Sequence, residues 1–337
     1  MVKIAIVGGG IAGSFLAKLL SIEGYNVTVF TESKRLGCFC AWGTVFNEVD
    51  YLLRKVGLRL KDYVFSKIKH LIVNGIKLNA KNIVTFNKPK LIYDLLNDVE
   101  VRYIKATSGI IRSYDIVIDA TGFRRELLGK LKRDFLLPTV EYVIKDKEGV
   151  LNENTIYVQL GKVGYAWMFP LINNFWHVGA GDIILNIKEL TERVMKRYGL
   201  SRDKAKMTCE CKSYVRLLPP KYCQPIVKGN IYGCGESIGT VYPLTGEGIA
   251  FSMKCSEILF NNIVANKTPK DYISNILREF KWFNKAFNLT LSLNKSKGKI
   301  LFNAILALGS IFRYAKRLGA EIEDLGAVFK VIYKLLG

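Results

Sequence analysis

The first 30 residues constrain the fold of this chain more than any other segment. Residues 4–7 (IAIV) form a continuous apolar run, which is typical of a strand that is covered on both faces. Residues 8–13 (GGGIAG) then fit the pattern G-x-G-x-x-G between a predicted strand and a predicted helix. The first glycine of this pattern allows a tight turn, the second lets backbone approach a pyrophosphate, and the third lets the helix pack on the strand. The sequence therefore predicts a parallel α/β unit that binds a dinucleotide.

The second strand of this unit, at 24–30 (GYNVTVF), should be followed by a side chain that binds a ribose. An acidic residue is usual there, but Thr31 follows the strand and Glu32 comes one residue later. Either a local bulge brings Glu32 to the ribose, or Thr31 makes a weaker hydrogen bond. We favour Glu32 and keep both as candidates.

Two later segments bear on which dinucleotide is bound. Residues 114–122 (YDIVIDATG) are typical of a buried strand that ends in A-T-G. A strand at 230–234 leads to Glu236, and a turn at 243–248 (PLTGEG) precedes a helix from Ile249. This order resembles the second FAD fingerprint of two-domain flavoproteins, although those proteins usually have Asp where this chain has Glu236.

In those flavoproteins the acidic residue binds the ribityl or pyrophosphate end of FAD, and the glycine-rich turn lies against the flavin ring. The resemblance implies that FAD is the cofactor. The cofactor-binding residues that the motifs and the resemblance imply are Gly8, Gly10, Ile11, Ala12, Gly13, Thr31, Glu32, Ala120, Gly122, Gly235, Glu236, Pro243, Gly246, Glu247, Gly248 and Ile249.

Residues 164–171 (GYAWMFPL) narrow the family. The spacing Tyr165-x-Trp167-x-Phe169-Pro170 resembles the Y-x-W-x-F-P motif of the geranylgeranyl reductase family, and residues 178–182 (VGAGD) resemble that family's next strand. The resemblance covers most of residues 1–255. It implies that these four residues bind substrate, and that reduced FAD saturates C=C bonds in the prenyl chain of a lipid, a prenyl diphosphate or a quinone.

The family also has a cysteine in a stretch after the second strand. Residues 37–43 (GCFCAWG) offer Cys40 as the catalytic residue, with Cys38 as a rival. A thiol with the ordinary pKa of about 8.5 is mostly protonated at neutral pH, so it can supply the proton that accompanies hydride transfer. A buried, inert thiol is the alternative.

Strand alternation places Tyr165, Trp167 and Phe169 on one face, where they form a wall of large apolar area. We call these three side chains the aromatic wall. The wall either lines a tunnel for an apolar substrate or packs on a helix. The downstream FAD motif favours the tunnel.

The predicted fold class is α/β (α+β overall). A Rossmann-like FAD-binding domain comprises residues 1–125 and 225–260, and an inserted antiparallel sheet at 126–224 binds substrate. A C-terminal helical region at 261–337 follows. In this region apolar residues recur at helical intervals, namely Ile276, Phe280, Phe283, Phe287 and Leu291.

The net charge and the apolar segments limit which classes of partner this protein can have. The net charge is +21, and the sequence contains no motif typical of nucleic-acid binding, so we expect no nucleic-acid partner. An anionic membrane surface and a phosphorylated substrate remain open as partners.

Residues 300–312 form an uncharged run of 13, too short to span a bilayer. They form either a buried helix or an interfacial one. With no signal peptide read at the N-terminus, we expect a cytoplasmic protein, with peripheral contact at the inner face of the membrane left open.

Two rival functions remain. Related hydroxylases carry A-D-G-x-x-S-x-x-R, whereas residues 120–126 read ATGFRRE. This departure counts against a tight NAD(P)H site and against an aromatic-ring monooxygenase, which is the main alternative. The electron donor is then either a reduced ferredoxin-like protein or NAD(P)H. A degenerate protein that binds flavin and lipid with little catalysis is the second alternative.

Cysteine pairs and histidines give weaker signals. Cys38 and Cys40, together with Cys209 and Cys211, form two C-x-C pairs, but metal sites usually have C-x-x-C spacing, so no metal is predicted. His177 follows the aromatic wall in sequence. We expect a solvent-facing or hydrogen-bonded histidine there rather than an acid.

Overall fold

Two β-sheets organise the chain. The computed structural model describes residues 2–32, 41–200, 205–320 and 325–334. The strands in chain order are β1 (Lys3–Val7), β2 (Asn26–Phe30), β3 (Gly43–Val45), β4 (Val64–Val73), β5 (Ile76–Phe86), β6 (Glu100–Arg102), β7 (Ile116–Asp119), β8 (Leu136–Asp146), β9 (Thr155–Leu160), β10 (Gly164–Pro170), β11 (Phe175–Asp182), β12 (Ala205–Arg216), β13 (Val227–Lys228) and β14 (Ile231–Gly233).

Helices cover both sheets and form most of the C-terminal region. In chain order they are α1 (Ile11–Ile22), α2 (Phe46–Arg54), α3 (Lys88–Leu96), α4 (Ser108–Ile111), α5 (Ile187–Arg197), α6 (Ile249–Val264), α7 (Pro269–Glu279), α8 (Phe283–Ser292), α9 (Lys297–Arg317) and α10 (Leu325–Lys334). Short 3-10 helices cover Leu60–Tyr63, Gly122–Arg124, Pro220–Tyr222 and Gly235–Ile238.

The first sheet has the strand order β13-β14-β7-β1-β2-β6, and all its pairs are parallel except β13 with β14. The apolar run at 4–7 forms β1, whose side chains are buried as expected of a central parallel strand. α1 and α6 pack together on one face, with Leu16, Leu20 and Leu259 in a common core. The predicted Rossmann-like unit is confirmed.

The second sheet has the order β12-β8-β11-β10-β9-β4-β5-β3 and is antiparallel except where β4 pairs with β9. Its members β3, β4 and β5 come from residues 43–86, outside the range 126–224 that we predicted for this sheet. They join it because residues 70–73 pair with residues 155–158. An antiparallel second sheet is therefore confirmed, and it is larger than the sequence pattern indicates.

The C-terminal region is helical, as predicted. The helical spacing from Ile276 to Leu291 falls on α7 and α8, with a break at 280–282. Ile276, Phe280 and Phe283 belong to the same core as α1 and α6, so these helices extend the first domain. The apolar run at 300–312 lies within α9. No helix in the described part of the chain is both long and apolar enough to cross a bilayer.

Candidate cofactor and substrate site

The glycines of the first turn have different surroundings. Gly8 has φ +112°, and a Cβ there would clash with the carbonyl oxygen of Ala120 at the end of β7. A Cβ on Gly13 would clash with the carbonyl oxygen of Gly8. Gly10 has φ −75°, and no atom of the described residues lies within 4 Å of the position that its Cβ would take. The fold itself thus requires glycine at 8 and 13, whereas Gly10 borders space that a ligand can occupy.

The start of α1 is suited to an anion. Gly10 is the N-cap residue of this described helix, which has no side-chain cap and no acidic residue in its first turn. The first N–H groups of a helix have no partner within the helix, and the helix dipole places partial positive charge there. Backbone at Ile11, Ala12 and Gly13 can therefore bind a phosphate without competition from a capping carboxylate.

Both ribose candidates follow β2. The N–H of Thr31 donates to the carbonyl oxygen of Arg102 at 3.0 Å, so this residue continues the pairing with β6, and its side chain is buried. Glu32 is exposed, and its carboxylate lies 3.9 Å from Lys105 Nζ. Both side chains thus lie at the carboxyl edge of the parallel sheet, and the choice between them stays a prediction.

The second FAD-type motif packs on the first. Gly235 follows β14 with φ +71°, and a Cβ there would lie 2.7 Å from the Cβ of Ala12. A Cβ on Gly122 would lie 3.4 Å from Glu236 Oε2. The ends of β7 and β14 and the start of α1 therefore meet at one edge of the first sheet, as the order of the motifs in the sequence predicts.

The Glu236 carboxylate is held by backbone. Its Oε1 accepts a hydrogen bond of 2.7 Å from the N–H of Arg216. Burial raises the pKa of Glu236, and the positive charges of Arg216 and Lys88 oppose that rise. The remaining oxygen, Oε2, faces the Gly122 backbone at the edge of the first sheet where the motifs meet. A ligand hydroxyl group at this edge could donate a hydrogen bond to it.

Arg216 organises these loops, although no sequence motif singles it out. This buried side chain forms an ion pair with Asp134 at 2.8 Å. It also donates to the carbonyl oxygens of Phe123 at 2.6 Å and Glu236 at 3.0 Å. Arg125, also buried, donates to the carbonyl oxygens of neighbouring loop residues. Only the folded chain brings the end of β12 to both loops.

The glycine-rich turn at 243–248 closes on itself. The N–H of Gly246 donates to the carbonyl oxygen of Tyr242 at 2.9 Å, and the N–H of Tyr242 donates to that of Glu247 at 2.9 Å. Pro243 is buried, and Gly246 has φ +65°. α6 starts at Ile249 directly after the turn, with Gly248 as its N-cap residue. The turn is thus a fixed surface at the start of a buried helix.

α9 supports this turn from behind. Arg317 lies 2.6 Å from the carboxylate of Glu48 and 3.4 Å from that of Glu247. Tyr314 stacks on Tyr242 with ring centroids 4.4 Å apart. Burial raises the pKa of Glu247, while the Arg317 guanidinium opposes this rise. The C-terminal region therefore contributes to the geometry of the predicted flavin site.

The aromatic wall begins at the glycine-rich turn. The Tyr165 hydroxyl group donates a hydrogen bond to the carbonyl oxygen of Thr245. Tyr165 and Trp167 meet edge to face at 5.6 Å, and a Cβ on Gly179 would lie 2.8 Å from the Trp167 ring. The wall thus extends along β10 away from the turn, with a glycine in the neighbouring strand making room for the indole ring.

The two faces of β10 have different surroundings. Ala166 and Met168 belong to a core that includes Leu190 and Val194 of α5. Pro170 is buried at the end of the strand and, by alternation, lies on the same side as these residues. α5 therefore covers the face opposite the wall. Phe169 packs in an apolar cluster with Ile68 and Ile83, so it is partly core.

A buried polar pair adjoins the wall. Glu141 and His177 are 7% and 1% exposed, and Glu141 Oε1 lies 2.8 Å from His177 Nδ1. The Trp167 indole N–H donates to Glu141 Oε2 at 3.2 Å, and the Trp42 ring meets His177 edge to face at 4.5 Å. Among the described residues neither histidine nitrogen has an aligned hydrogen-bond partner. His177 is thus not solvent-facing, and its Nδ1 atom is paired with the Glu141 carboxylate, so the expectation of a solvent-facing histidine is wrong and that of a partnered one is met at Nδ1 only by this contact.

Only one of the two cysteine pairs lies within the described residues. Cys38 and Cys40 lie outside the described residues, so the catalytic role of Cys40 stays a prediction. Cys209 and Cys211 are neighbours on β12, with their sulfur atoms 3.9 Å apart. Within the described ranges no three His, Cys, Asp or Glu side chains gather closely enough to hold a metal ion.

Comparisons with known proteins agree with this geometry. Residues 6–59 match the family described as NAD(P)-binding Rossmann-like domain. The uncharacterized protein MJ1182 of Methanocaldococcus jannaschii is 27% identical over 383 aligned positions, which cover 98% of this chain and 100% of MJ1182. The sequence similarity thus spans the whole chain and not only its dinucleotide turn.

Solved structures share the full architecture. The geranylgeranyl bacteriochlorophyll reductase-like protein Ta0516 from Thermoplasma acidophilum superposes with a TM-score of 0.72 at 16% identity, covering 94% of this chain and 100% of that one. The p-nitrophenol 4-monooxygenase PnpA from Pseudomonas putida DLL-E4 gives 0.68 at 14% identity, covering 95% and 100%. At these identities the similarity establishes the fold, and the chain has the fold of the two-domain FAD-dependent oxidoreductases.

Proposed function

We propose that this protein binds FAD non-covalently and saturates C=C bonds in the prenyl chain of a lipid, a prenyl diphosphate or a quinone. The observation that carries the proposal is the hydrogen bond from the Tyr165 hydroxyl group to the carbonyl oxygen of Thr245. It attaches the start of the aromatic wall to the turn at 243–248. By the family resemblance, this turn is where we expect the flavin ring. The similarity to Ta0516, which is described as geranylgeranyl bacteriochlorophyll reductase-like, supports the same assignment.

The residues present fit FAD. The open space beside Gly10 and the uncapped start of α1 suit the pyrophosphate. Thr31 or Glu32 would bind the adenosine ribose, and the Glu236 carboxylate would accept a hydrogen bond from the ribityl chain. The turn at 243–248 would lie along the flavin ring.

The protein's own contribution to the reaction is mainly positioning. Bound FAD would supply hydride transfer, which no amino-acid side chain can perform. An isolated alkene carries no charge, so binding depends on apolar burial at roughly 0.8 kcal/mol per CH₂ group. Tyr165 and Trp167, whose rings meet edge to face, would provide such a surface. Cys40, with Cys38 as its rival, is our proposal for the source of the proton.

The outer face of α9 suits a membrane-derived substrate. Four large apolar side chains on this face are 43–63% exposed, namely Leu301, Phe302, Ile305 and Leu306. The buried face of the same helix carries small residues, among them Ala304, Ala307 and Ser310. Lys297 and Lys299 lie at its start. We propose that this face, with its basic flank, rests on the anionic inner surface of the cytoplasmic membrane, from which a prenyl lipid can enter.

A single-turnover experiment tests the proposed reaction. The purified protein is photoreduced without oxygen and mixed with a geranylgeranyl lipid. We expect the flavin absorbance to return and the lipid mass to rise by two hydrogen atoms for each bond reduced. Cys40→Ala should slow this reoxidation more than Cys38→Ala. A reduced flavin that the lipid does not oxidise, together with hydroxylation of an added phenol once oxygen is admitted, would instead support the aromatic-ring monooxygenase.

Two further readouts complete the test. Formation of neither reduced lipid nor hydroxylated phenol, with FAD and lipid both bound, would leave the degenerate binding protein as the remaining function. Reduction of the oxidised flavin by a reduced ferredoxin-like protein and by NAD(P)H should be compared. The missing A-D-G signature leads us to expect the protein donor to be faster.

A further inference from the structure

The Glu141–His177 pair lies on the same face of the second sheet as the aromatic wall. We propose that this pair binds a neutral oxygen of the ligand, a hydroxyl or carbonyl group, within the aromatic wall. The inference rests on the proposed function, because it assumes that an isoprenoid ligand lies along the wall. It adds a polar recognition point to a surface that otherwise selects only for apolar character.

The first argument is that the pair is incompletely satisfied. Some buried carboxylates of this protein accept several hydrogen bonds: Asp119, for example, accepts from the backbone N–H groups of Thr121, Leu127 and Leu128. Within the described residues, by contrast, neither His177 nitrogen has an aligned hydrogen-bond partner, and neither does Glu141 Oε1. Buried polar groups are normally paired, since leaving them unpaired is unfavourable. A ligand oxygen at His177 Nε2 would supply the missing partner.

The second argument is the position of the pair along the wall. Trp167 is opposite Gly179, which is in turn opposite Glu141, and His177 is opposite Phe169. Phe169 is four residues from Tyr165, the residue that contacts the glycine-rich turn. At about 3.3 Å per residue the His177 row lies roughly 13 Å from the Tyr165 row. A proton donor must lie within hydrogen-bond reach of the reacting atom. The pair is therefore placed to recognise a ligand rather than to protonate an alkene at the turn.

The third argument concerns the chemistry of the ligand. A carboxylate beside the imidazole disfavours a phosphate or diphosphate group at this point. Imidazole Nε2 can accept from a hydroxyl group when neutral and can donate to a carbonyl oxygen when protonated. The rings of Trp42 and Trp167 adjoin the pair and suit an apolar chain. The geometry points to an isoprenoid whose neutral oxygen lies among aromatic rings.

A matched ligand pair tests the inference without turnover. The oxidised, FAD-loaded protein is titrated with geranylgeraniol and with the hydrocarbon that has the same chain but a methyl group in place of CH₂OH. Tryptophan fluorescence reports binding, since Trp42 and Trp167 adjoin the pair, and both ligands are added from the same detergent. We expect the wild-type protein to bind the alcohol about tenfold more tightly than the hydrocarbon.

The decisive variant is Glu141→Leu with His177→Phe, because replacing both members by apolar residues leaves no unpaired charge. It should bind the two ligands equally and retain its FAD. The control is Tyr142→Phe, which removes a hydroxyl group from the adjacent residue on the opposite face of β8. This control should keep the tenfold preference.

Three outcomes would count against the inference. A preference for the alcohol that survives in the double variant would overturn it, as would equal affinities in the wild-type protein. Both results would leave the proposed function standing. Failure of the wild-type protein to bind either ligand would overturn the proposed function together with the inference. If the double variant does not fold, His177→Gln serves instead, and it should lose most of the preference.

Discussion

The dinucleotide turn and the aromatic wall differ in how they are built. In the turn, Gly8, Gly10 and Gly13 lie within six residues, and each role follows from backbone geometry over that short distance. At the wall, Glu141 and His177 meet Trp167 only through the pairing of three strands. A motif that is local in sequence describes its own site. A site on the face of a sheet is defined only when the strands are in register.

The largest expected effect comes from a change in the dinucleotide turn that does not involve the aromatic wall. Gly10→Val places a side chain in the open space beside the start of α1, so we expect FAD affinity to fall on the order of 100-fold or more. Because that space is empty of protein atoms among the described residues, the thermal stability of the flavin-free protein should not change. Flavin content after purification and a melting curve without flavin measure the two effects.

The matched control for this change is Gly298→Val in α9, where a Cβ likewise meets nothing within 4 Å. It should keep both FAD and stability. Normal flavin content in Gly10→Val would remove the cofactor assignment of the turn.

The second effect tests the residue that joins the cofactor loops to the second sheet. Arg216→Ala removes a buried guanidinium, its ion pair with the more exposed Asp134, and two hydrogen bonds to loop carbonyl oxygens. Because these carbonyl oxygens lose their donor, we expect the free energy of unfolding of the flavin-free protein to fall by about 3 kcal/mol, as measured by urea denaturation. Arg193→Ala, which removes an exposed pair with Glu189, should change nothing measurable. Equal losses in both variants would show that Arg216 has no special structural role.

The third effect is the counterpart of the first at the wall. Trp167→Ala should weaken prenyl-ligand binding about tenfold and leave FAD bound, because we propose that this ring lines the substrate site. Trp167→Phe should retain part of the affinity. Trp176→Phe is the control, since Trp176 packs in the core beside α5 on the opposite face. Loss of FAD with unchanged ligand affinity in Trp167→Ala would assign the wall to the flavin site or the core.

The smallest expected effect comes from a change outside both the dinucleotide turn and the aromatic wall. Phe302→Glu with Ile305→Glu places two charges on the exposed face of α9 and should reduce binding to phosphatidylglycerol vesicles roughly fivefold. Neither FAD content nor stability should change. Tyr93→Glu provides the control, because Tyr93 is exposed on α3, away from this face. Unchanged vesicle binding in the α9 variant would leave this helix without a membrane role.

The sequence predicted the fold well where patterns are local. The apolar run and glycines of β1 and α1, the strand before A-T-G and the helical spacing from Ile276 all correspond to described elements. The membership of β3, β4 and β5 in the second sheet was not predictable, because it depends on pairing between residues 70–73 and 155–158. Alternation reports which face a residue lies on, but it does not report which strand is its neighbour.

The candidate site divides in the same way. The sequence by itself determined the glycines at 8, 10 and 13 and the turn at 243–248, because short-range backbone sterics restrict which residues can stand there. Only the tertiary structure decided that Arg216 joins two loops, that Arg317 of α9 contacts Glu247, and that Glu141 and His177 form a pair. Each of these contacts joins residues at least 20 positions apart. A side chain's charge is readable in the sequence, but its partner is fixed only when packing brings distant elements together.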